Sequence, residues 1–322
     1  MLFNNSFRLI VLLAFLGLSC ACGKKDDGGK SSEPESADLL VCTFNIRYAS
    51  AADGDNSWDK RKAAVVKFIQ TRQPDVIGMQ EMEKDQAVYL KAQIGGDYEI
   101  YGLGRESGKD IFSGVNYETT AAILYKKSRF SQAKKGQFWH DEGAPQSPPA
   151  KSSGRYGTWK TSHPWITTWM KLEDKNFNGR PFWVFVTHFQ NNANMEGQGG
   201  QIRLLESNLH ISQMAAIIGE GIGAGCQSPV VLLGDFNAVF EEQSLQTLRN
   251  VPLGYARLDA VKSGTRNNNT DNCYGQGGAS IIDHTFFCGP LKALFYTVDG
   301  RNYGATYISD HYPVLTEFAY TK

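Results

Sequence analysis

The chain has 322 residues, of which 41% are hydrophobic, enough for one large domain or two small ones around a sizeable core. Lys plus Arg and Asp plus Glu are equal at 33 each, so the formal net charge is zero. A protein that grips a nucleic-acid backbone regardless of sequence carries a basic excess, so this balance argues against that class and toward small or dispersed substrates.

Residues 9–18 form a short apolar run preceded by Arg8 and followed by Ser19-Cys20-Ala21-Cys22. The pattern is that of a secretory signal, too short to span a bilayer as a mature helix. Residues 23–38 are polar and of low complexity, as expected of a disordered tether. A cysteine at the end of such a signal resembles a bacterial lipoprotein lipidation site. Cys22 is favoured over Cys20 because Ala21 precedes it and charge begins just after it. The Lys-Asp-Asp cluster that follows resembles the surface-export tag of Bacteroidetes lipoproteins. The expectation is an exported chain, lipid-anchored to the cell envelope and facing the outer-membrane surface. Of the other cysteines, Cys42, Cys226, Cys273 and Cys288, none has a metal-site spacing such as Cys-x-x-Cys.

The organised part begins at Leu39. Residues 39–46 read as a strand in which Asn45 interrupts the apolar run, either satisfied by backbone or aimed at a ligand. From Trp58 to Arg72, Ala64, Val65, Phe68 and Ile69 recur at helical spacing, and Pro74 stops the helix. Residues 75–81 form a second strand ending in Glu81, so the strand–helix–strand order implies parallel or mixed pairing. A helix over 83–94 and a strand over 98–101 follow. The stretch Gly102-Leu103-Gly104-Arg105-Glu106 makes no dinucleotide fingerprint, because no capped helix follows it. Residues 119–129 and the segment around Phe138 read as consecutive antiparallel strands. Residues 140–163 shift to Pro, Ser, Gly and Lys, a loop long enough to suggest function. With Arg155, Tyr156, Trp159 and nearby Trp165, it supplies either an aromatic rim or core.

Residues 165–172 and 182–189 alternate as paired strands across an Asn178-Gly179 turn, the second ending in Thr187-His188. An amphipathic helix over 202–218 leads to the apolar run Pro229 to Leu233, which fits a strand covered on both faces. Gly234 is expected to let the backbone turn sharply there, and Asp235 and Asn237, two residues apart, to share one face. They are a base beside a hydrogen-bond donor, or a simple Asp-x-Asn turn. A short helix over 241–249 precedes mostly strand, interrupted by Asp283-His284 and by Ser309-Asp310-His311. Separate apolar strands thus end in Asn, Glu, His, Asp or an Asp-His pair. Ligands in layered α/β folds bind outside strand ends, so these residues are placed to converge.

In this order, Phe44-Asn45-Ile46, Gln80-Glu81, Thr187-His188, Gly234-Asp235-Phe236-Asn237, Ile282-Asp283 and Ser309-Asp310-His311 resemble the motifs of the endonuclease/exonuclease/phosphatase superfamily. The resemblance covers the mature chain, and its first part, through Trp58-Asp59-Lys60-Arg61, resembles a secreted bacterial branch. It implies a four-layer αββα sandwich of two mixed β-sheets flanked by helices. It also implies a Mg²⁺ held by Glu81 with Asp310 and Asn45 assisting, Mn²⁺ or Ca²⁺ being the alternatives. A carboxylate-and-water site suits Mg²⁺ better than Zn²⁺. By the same resemblance Asp235 orients or deprotonates the attacking water, and Asn237 holds it or a phosphoryl oxygen. His188 stabilises the charged transition state, and His311, oriented by Asp283, contacts the phosphate. Glu118 corresponds to the acid that orients the Thr-His histidine. Relatives often carry an acid and a His where this chain has Gln190 and Asn191, and an Arg in the neighbourhood of Trp165. Arg105, Arg155, Trp165 and Arg203 are therefore the candidate substrate-binding residues.

The sequence reading is a signal over 1–22, a tether over 23–38 and a catalytic domain over 39–322, acting as a monomer on phosphoric esters. A phosphorylated small molecule or phospholipid head group ranks above DNA because the charge is balanced. The rivals are a secreted nuclease and a non-catalytic lipoprotein that grips glycan or phosphorylated ligand through Trp139, Trp159 and Trp165.

Overall fold

The computed structural model describes residues 36–192 and 197–322. The signal over 1–22, with Cys20 and Cys22, and nearly all of the 23–38 tether lie outside the described residues. The first half runs β1 (Leu39–Asn45), α1 (Trp58–Arg72), β2 (Val76–Met82), α2 (Lys84–Ile94), β3 (Tyr98–Tyr101), β4 (Thr120–Lys126), β5 (Phe130–Trp139), β6 (Lys151–Ser152) and β7 (Arg155–Tyr156). The second half runs β8 (Ile166–Asp174), β9 (Arg180–His188), α3 (Gly199–Ile218), β10 (Val230–Asp235), α4 (Gln243–Asn250), β11 (Gly254–Tyr255), α5 (Ala256–Asp259), β12 (Asp283–Cys288), β13 (Leu291–Val298) and β14 (Val314–Tyr320).

Two six-stranded sheets carry the fold, ordered β13-β14-β1-β2-β4-β3 and β11-β12-β10-β9-β8-β5. Each is mixed, with one parallel pair at its centre: β1 with β2, and β9 with β10. Period-two alternation explains the layering. Along β1, Leu39 and Val41 pack between the sheets, while Cys42 and Phe44 face a second core against α1 and α2. Along β10, Val231 and Leu233 face the inter-sheet core, while Val230 and Leu232 face a third core beside α3 and α4. The result is the expected four-layer αββα sandwich. Helix α1 buries Ala64, Val65, Phe68 and Ile69; Phe68 and Ile69 each contribute about 1.5–3 kcal/mol by leaving water. It ends at Gln73, which takes the left-handed conformation just before Pro74.

The β8–β9 hairpin closes through residues 175–179, a 3-10 turn over Lys175–Phe177 followed by Asn178 and Gly179, both at positive φ (56° and 74°). Strands β4 and β5 are not partners as expected: β4 pairs with β2 and β3, and β5 pairs with β8 in the other sheet. Arg129 marks the crossing, reaching Asp75, just before β2 of one sheet, at 2.8 Å and Asp174, the last residue of β8 in the other, at 2.6 Å. The glycine before Asp235 also acts differently from expectation. Gly234 makes no left-handed turn; a Cβ there would stand 2.5 Å from the Thr187 carbonyl oxygen, so glycine lets β10 lie close against β9. The long 140–163 loop contains the β6–β7 ribbon. Its neighbouring tryptophans are core rather than rim: Trp139 and Trp165 are buried, and their N–H groups go to Arg105 O and Gln190 Oε1.

Candidate active site

Asn45, His188 and Asp235 end β1, β9 and β10, and Glu81 lies one residue from the end of β2. Asp283 instead begins β12, and Asp310-His311 precede β14. Strand β12 is antiparallel to β10 and β14 to β1, so these starts share an edge of the sandwich with the other strands' ends. A β-bulge between Met79 and Met82 re-aims Glu81, which sits at φ 62°. Arg47 and Asn237 are also left-handed, at φ 56° and 49°. Such strain in non-glycine residues gathers where the surroundings hold a functional geometry.

Asp235 is the centre. Its Oδ2 accepts the Asn45 amide at 3.0 Å and faces His188 Nε2 at 3.4 Å and His311 Nε2 at 3.8 Å. Oδ1 accepts the Asn237 N–H at 2.9 Å. Burial raises the Asp235 pKa and the Asp283 charge adds to this, while the two histidines oppose it. The carboxylate is thereby a stronger base than a solvated one. The Asn237 side-chain amide donates to the Phe189 carbonyl at 3.0 Å, which holds the left-handed turn and leaves its oxygen as the free end.

His311 Nδ1 stands 2.8 Å from Asp283 Oδ2. Burial disfavours charge on this ring, but Asp283, Asp235 and Asp310 overcome that and raise its pKa well above 6.5. The ring is an imidazolium at neutral pH, with Nε2–H beyond hydrogen-bond reach of Asp235 and free for a ligand oxygen. Asp283 is fully buried and its Oδ1 has no hydrogen-bond partner. His188 is the opposite case: burial lowers its pKa to about 4 against the pull of Asp235, so this ring is a neutral donor.

Glu81 Oε2 accepts the Tyr48 N–H at 3.2 Å, and Asp310 Oδ2 is 3.6 Å from Arg47 Nε. Desolvation and then the Asp310 charge raise the Glu81 pKa, with Arg47 opposing. Two carboxylates that repel each other in a partly buried site fit a divalent cation, and their hard oxygens fit Mg²⁺-type chemistry. A second group, Asp235, Asp283 and His311, has its ligand atoms within 4.8 Å of one another. There, however, His311 Nδ1 is committed to Asp283 and the ring is charged, which leaves no lone pair for a metal. The Glu81–Asp310 pair is the better donor set. Asn45 lies beside it, with Oδ1 taking the Arg47 N–H at 3.0 Å.

Arg61, fully buried on α1, braces this corner. Its guanidinium donates to the carbonyls of Asn56, Ile46, Arg47 and Ile308, tying the segments that carry Asn45 and Asp310. Arg47 pairs with Asp53 at 3.0 Å. On the other side, the Trp165 ring lies edge-on to His188 with centroids 4.6 Å apart. Arg105 covers Trp165 at 5.4 Å and meets His163 Nδ1 at 3.1 Å. A guanidinium only donates, so that nitrogen is an acceptor and His163 is neutral; burial lowers its pKa to about 4. Glu118 does not take up the role of orienting acid: its carboxylate accepts Ser107 N–H and Oγ–H at 2.5 and 2.7 Å.

Among the candidate substrate residues, Arg105 and Trp165 thus lie beside His188. Arg203 is buried, paired with Glu242 at 2.7 Å and bonded to the Gln190 carbonyl at 3.0 Å. Arg155 lies on the β6–β7 ribbon. Sequence reasoning passed over Arg47 and the buried set behind His188. In that set His140 Nδ1 meets Glu206 at 2.8 Å, and His210 Nε2 and His140 Nε2 meet Thr167 Oγ1 at 2.6 and 2.9 Å. Glu206 also accepts the Gln190 N–H on both oxygens. The available signal was Glu206 and His210, four residues apart on the apolar side of a helix.

Residues 42–311 match the sequence profile of the Endonuclease/Exonuclease/phosphatase family. No curated protein sequence matches significantly. Among solved structures, an endonuclease/exonuclease/phosphatase from Bacteroides vulgatus is 26% identical, with TM-score 0.74 over 88% of this chain and 98% of that one. A mannosyl-6-phosphatase from Bacteroides thetaiotaomicron is 25% identical, with TM-score 0.73 over 88% of this chain and all of that one. The human nocturnin catalytic domain, solved with a sulfate anion, is 18% identical and shares the fold, with TM-score 0.65 over 88% of this chain and 93% of that one.

Proposed function

The chain belongs to the endonuclease/exonuclease/phosphatase family, and we propose that it is a Mg²⁺-dependent hydrolase of phosphoric esters, acting on a small organic phosphate or phospholipid head group. The observation that carries this reading is the junction at Asp235, where a buried base faces one charged and one neutral imidazole. Phosphoryl transfer needs a base for water and donors for the charge that grows on the phosphorus oxygens. In the proposed reaction Asp235, aligned by Asn45 and the Asn237 N–H, accepts the proton of the attacking water as the water oxygen bonds phosphorus and the P–O bond to the ester's alcohol breaks, the departing alkoxide taking a proton from solvent. His311 donates Nε2–H to a non-bridging oxygen and is held in register by Asp283. His188, backed by Trp165, supplies a neutral donor beside it. Glu81 and Asp310 would hold the cation, with Asn45 adjacent. That cation, when bound, supplies Lewis-acid stabilisation of phosphoryl charge. Arg105, stacked on Trp165, is the nearest candidate for the rest of the substrate.

Zero net charge and the mannosyl-6-phosphatase relative support a small phosphate over nucleic acid. Export and a lipid anchor at Cys22 belong to the same proposal and rest on the signal pattern; among the described residues no helix is long and apolar enough to cross a membrane. We take the unit to be a monomeric catalytic domain over 39–322. The test is a panel of phosphomonoesters and phosphodiesters with Mg²⁺ or Mn²⁺, with and without chelator. Cation-dependent turnover lost in Asp235→Asn is expected. Metal-dependent turnover that survives Asp235→Asn would overturn the reading, and plasmid nicking that outpaces every small ester would move it to a nuclease.

A further inference from the structure

The loop between α5 and β12 carries three consecutive asparagines, Asn267, Asn268 and Asn269, all exposed. Together with Tyr307 and Tyr312 they line a cavity of about 390 Å³, within the ~300–1,000 Å³ of small-molecule sites. Among the described residues, none of the three asparagine amides and neither tyrosine hydroxyl has a hydrogen-bond partner. The cavity therefore presents amide donors, amide acceptors and two hydroxyls beside aromatic faces. Its lining contains no Lys or Arg, and its one carboxylate, Asp271, accepts Cys273 N–H at 3.0 Å and Sγ–H at 3.2 Å, both on Oδ1, which leaves Oδ2 as an acceptor for a hydroxyl.

That inventory selects the ligand. A phosphate or carboxylate finds no cation there, and a hydrocarbon would strand several polar groups. A neutral molecule with many hydroxyls satisfies amides and phenols together, and the C–H face of a sugar ring lies on a tyrosine. The cavity is also built rather than incidental. Gly275, at φ 77°, leaves room for the Tyr307 hydroxyl, which a Cβ would approach to 2.4 Å. Asn272 spends its own side chain on Tyr274 N–H and the Ser309 carbonyl, stiffening the loop.

The cavity adjoins the catalytic segment. Asn272 and Cys273 N–H both donate to the Asp310 carbonyl, at 2.7 and 3.1 Å, and Asp271 bridges His311. His311 turns inward to Asp283; Tyr312, next in an extended stretch before Pro313, turns outward to the cavity. We propose that this cavity is a carbohydrate-binding subsite on the outer side of the Asp310–Tyr312 segment. It takes a pyranose, either free or as the sugar part of a larger substrate; only the latter use rests on the phosphoesterase reading.

The test is ligand-observed saturation-transfer NMR on the whole protein without added metal, using the methyl pyranosides of glucose, mannose and galactose, with cyclohexanol as the single-hydroxyl control. Transfer to at least one pyranoside and none to cyclohexanol is expected. Affinity should fall about tenfold in Asn267→Ala/Asn269→Ala, the loss of one or two neutral hydrogen bonds, and fall also in Tyr307→Phe, which removes only a hydroxyl. No transfer to any pyranoside, or equal transfer in wild type and both variants, overturns the subsite. Binding needs no turnover, so failure of the esterase reading leaves this result standing, and the reverse holds. If the bound pyranoside competes with ester turnover, the sugar belongs to the substrate; if it binds without competing, the subsite is an accessory one.

Discussion

The Asn45 amide crosses from one sheet to the other and donates to Asp235 Oδ2 at 3.0 Å. It fixes which way the carboxylate turns and leaves Oδ1 to the Asn237 N–H. A hydrogen bond to a charged group is worth about 1.5–3 kcal/mol. Asn45→Ala should therefore lower kcat by about 10- to 100-fold with little change in KM, read by steady-state kinetics on the best ester of the panel. Asn45→Asp should do more damage, because it sets a second carboxylate against Asp235. Equal, small effects from both would show that Asp235 needs no alignment.

Arg61 joins the backbone of two active-site segments from behind without touching Asp235. Lys cannot reproduce a guanidinium fork that serves the carbonyls of Asn56, Ile46, Arg47 and Ile308. Arg61→Lys should strand at least one buried carbonyl and cost about 1–3 kcal/mol, a drop of roughly 2–5 °C in Tm for a domain of this size. Scanning calorimetry checks it, and an unchanged Tm would count against the clamp.

Residues that act through local pattern were legible in the sequence. Helix α1 begins at Trp58 and ends at Arg72 as its apolar spacing and Pro74 indicate, and the apolar strands announce Asn45, Glu81, His188 and Asp235 by the polar residues near their ends. What depends on tertiary pairing was not. Nothing local in β4 and β5 says that one joins each sheet, and Asp310-His311 read as a strand's end until the antiparallel pairing of β14 with β1 showed them at its start. Arg61 looks like surface charge on a helix, because its carbonyl partners come from segments up to 247 residues away. The role of Gly234 needed the position of β9, and the core role of Trp139 and Trp165 needed the location of Arg105 and Gln190.

Glu81 and Asp310 repel each other without a cation, which gives a readout independent of turnover. Saturating Mg²⁺ should raise the wild-type Tm, since ligand at a hundred times its Kd stabilises by about 2.7 kcal/mol. Glu81→Gln should lose most of that increment and weaken Mg²⁺ activation at least about tenfold. Its metal-free form should be no less stable than wild type, because the carboxylate it replaces is disfavoured there. Mg²⁺ stabilisation that persists in Glu81→Gln but vanishes in Asp283→Asn would transfer the metal to the Asp235–Asp283–His311 group.

His284 is fixed as a neutral ring: Nε2–H donates to the Ala238 carbonyl and Nδ1 accepts from the Tyr255 hydroxyl, both at 2.8 Å. Burial lowers its pKa from 6.5 to about 4, and lowers that of His140 to about 3. An unfolded imidazole titrates near 6.5, so between pH 6.5 and 4 the unfolded chain binds more protons than the folded one. Stability from these rings is complete above pH 6.5 and declines as the pH falls toward 4. Over the 1.5 units down to pH 5, one such ring accounts for about 2 kcal/mol. His284→Gln keeps an amide donor for Ala238 and an acceptor for Tyr255 without the titration. Urea unfolding at pH 7.5 and pH 5 should show the wild type losing about 2 kcal/mol more than the variant over that interval. Other buried groups, such as Glu206 with its raised pKa, titrate in both proteins and cancel in the difference. Identical losses would mean that His284 is already protonated in the folded chain, in conflict with its carbonyl and phenol partners.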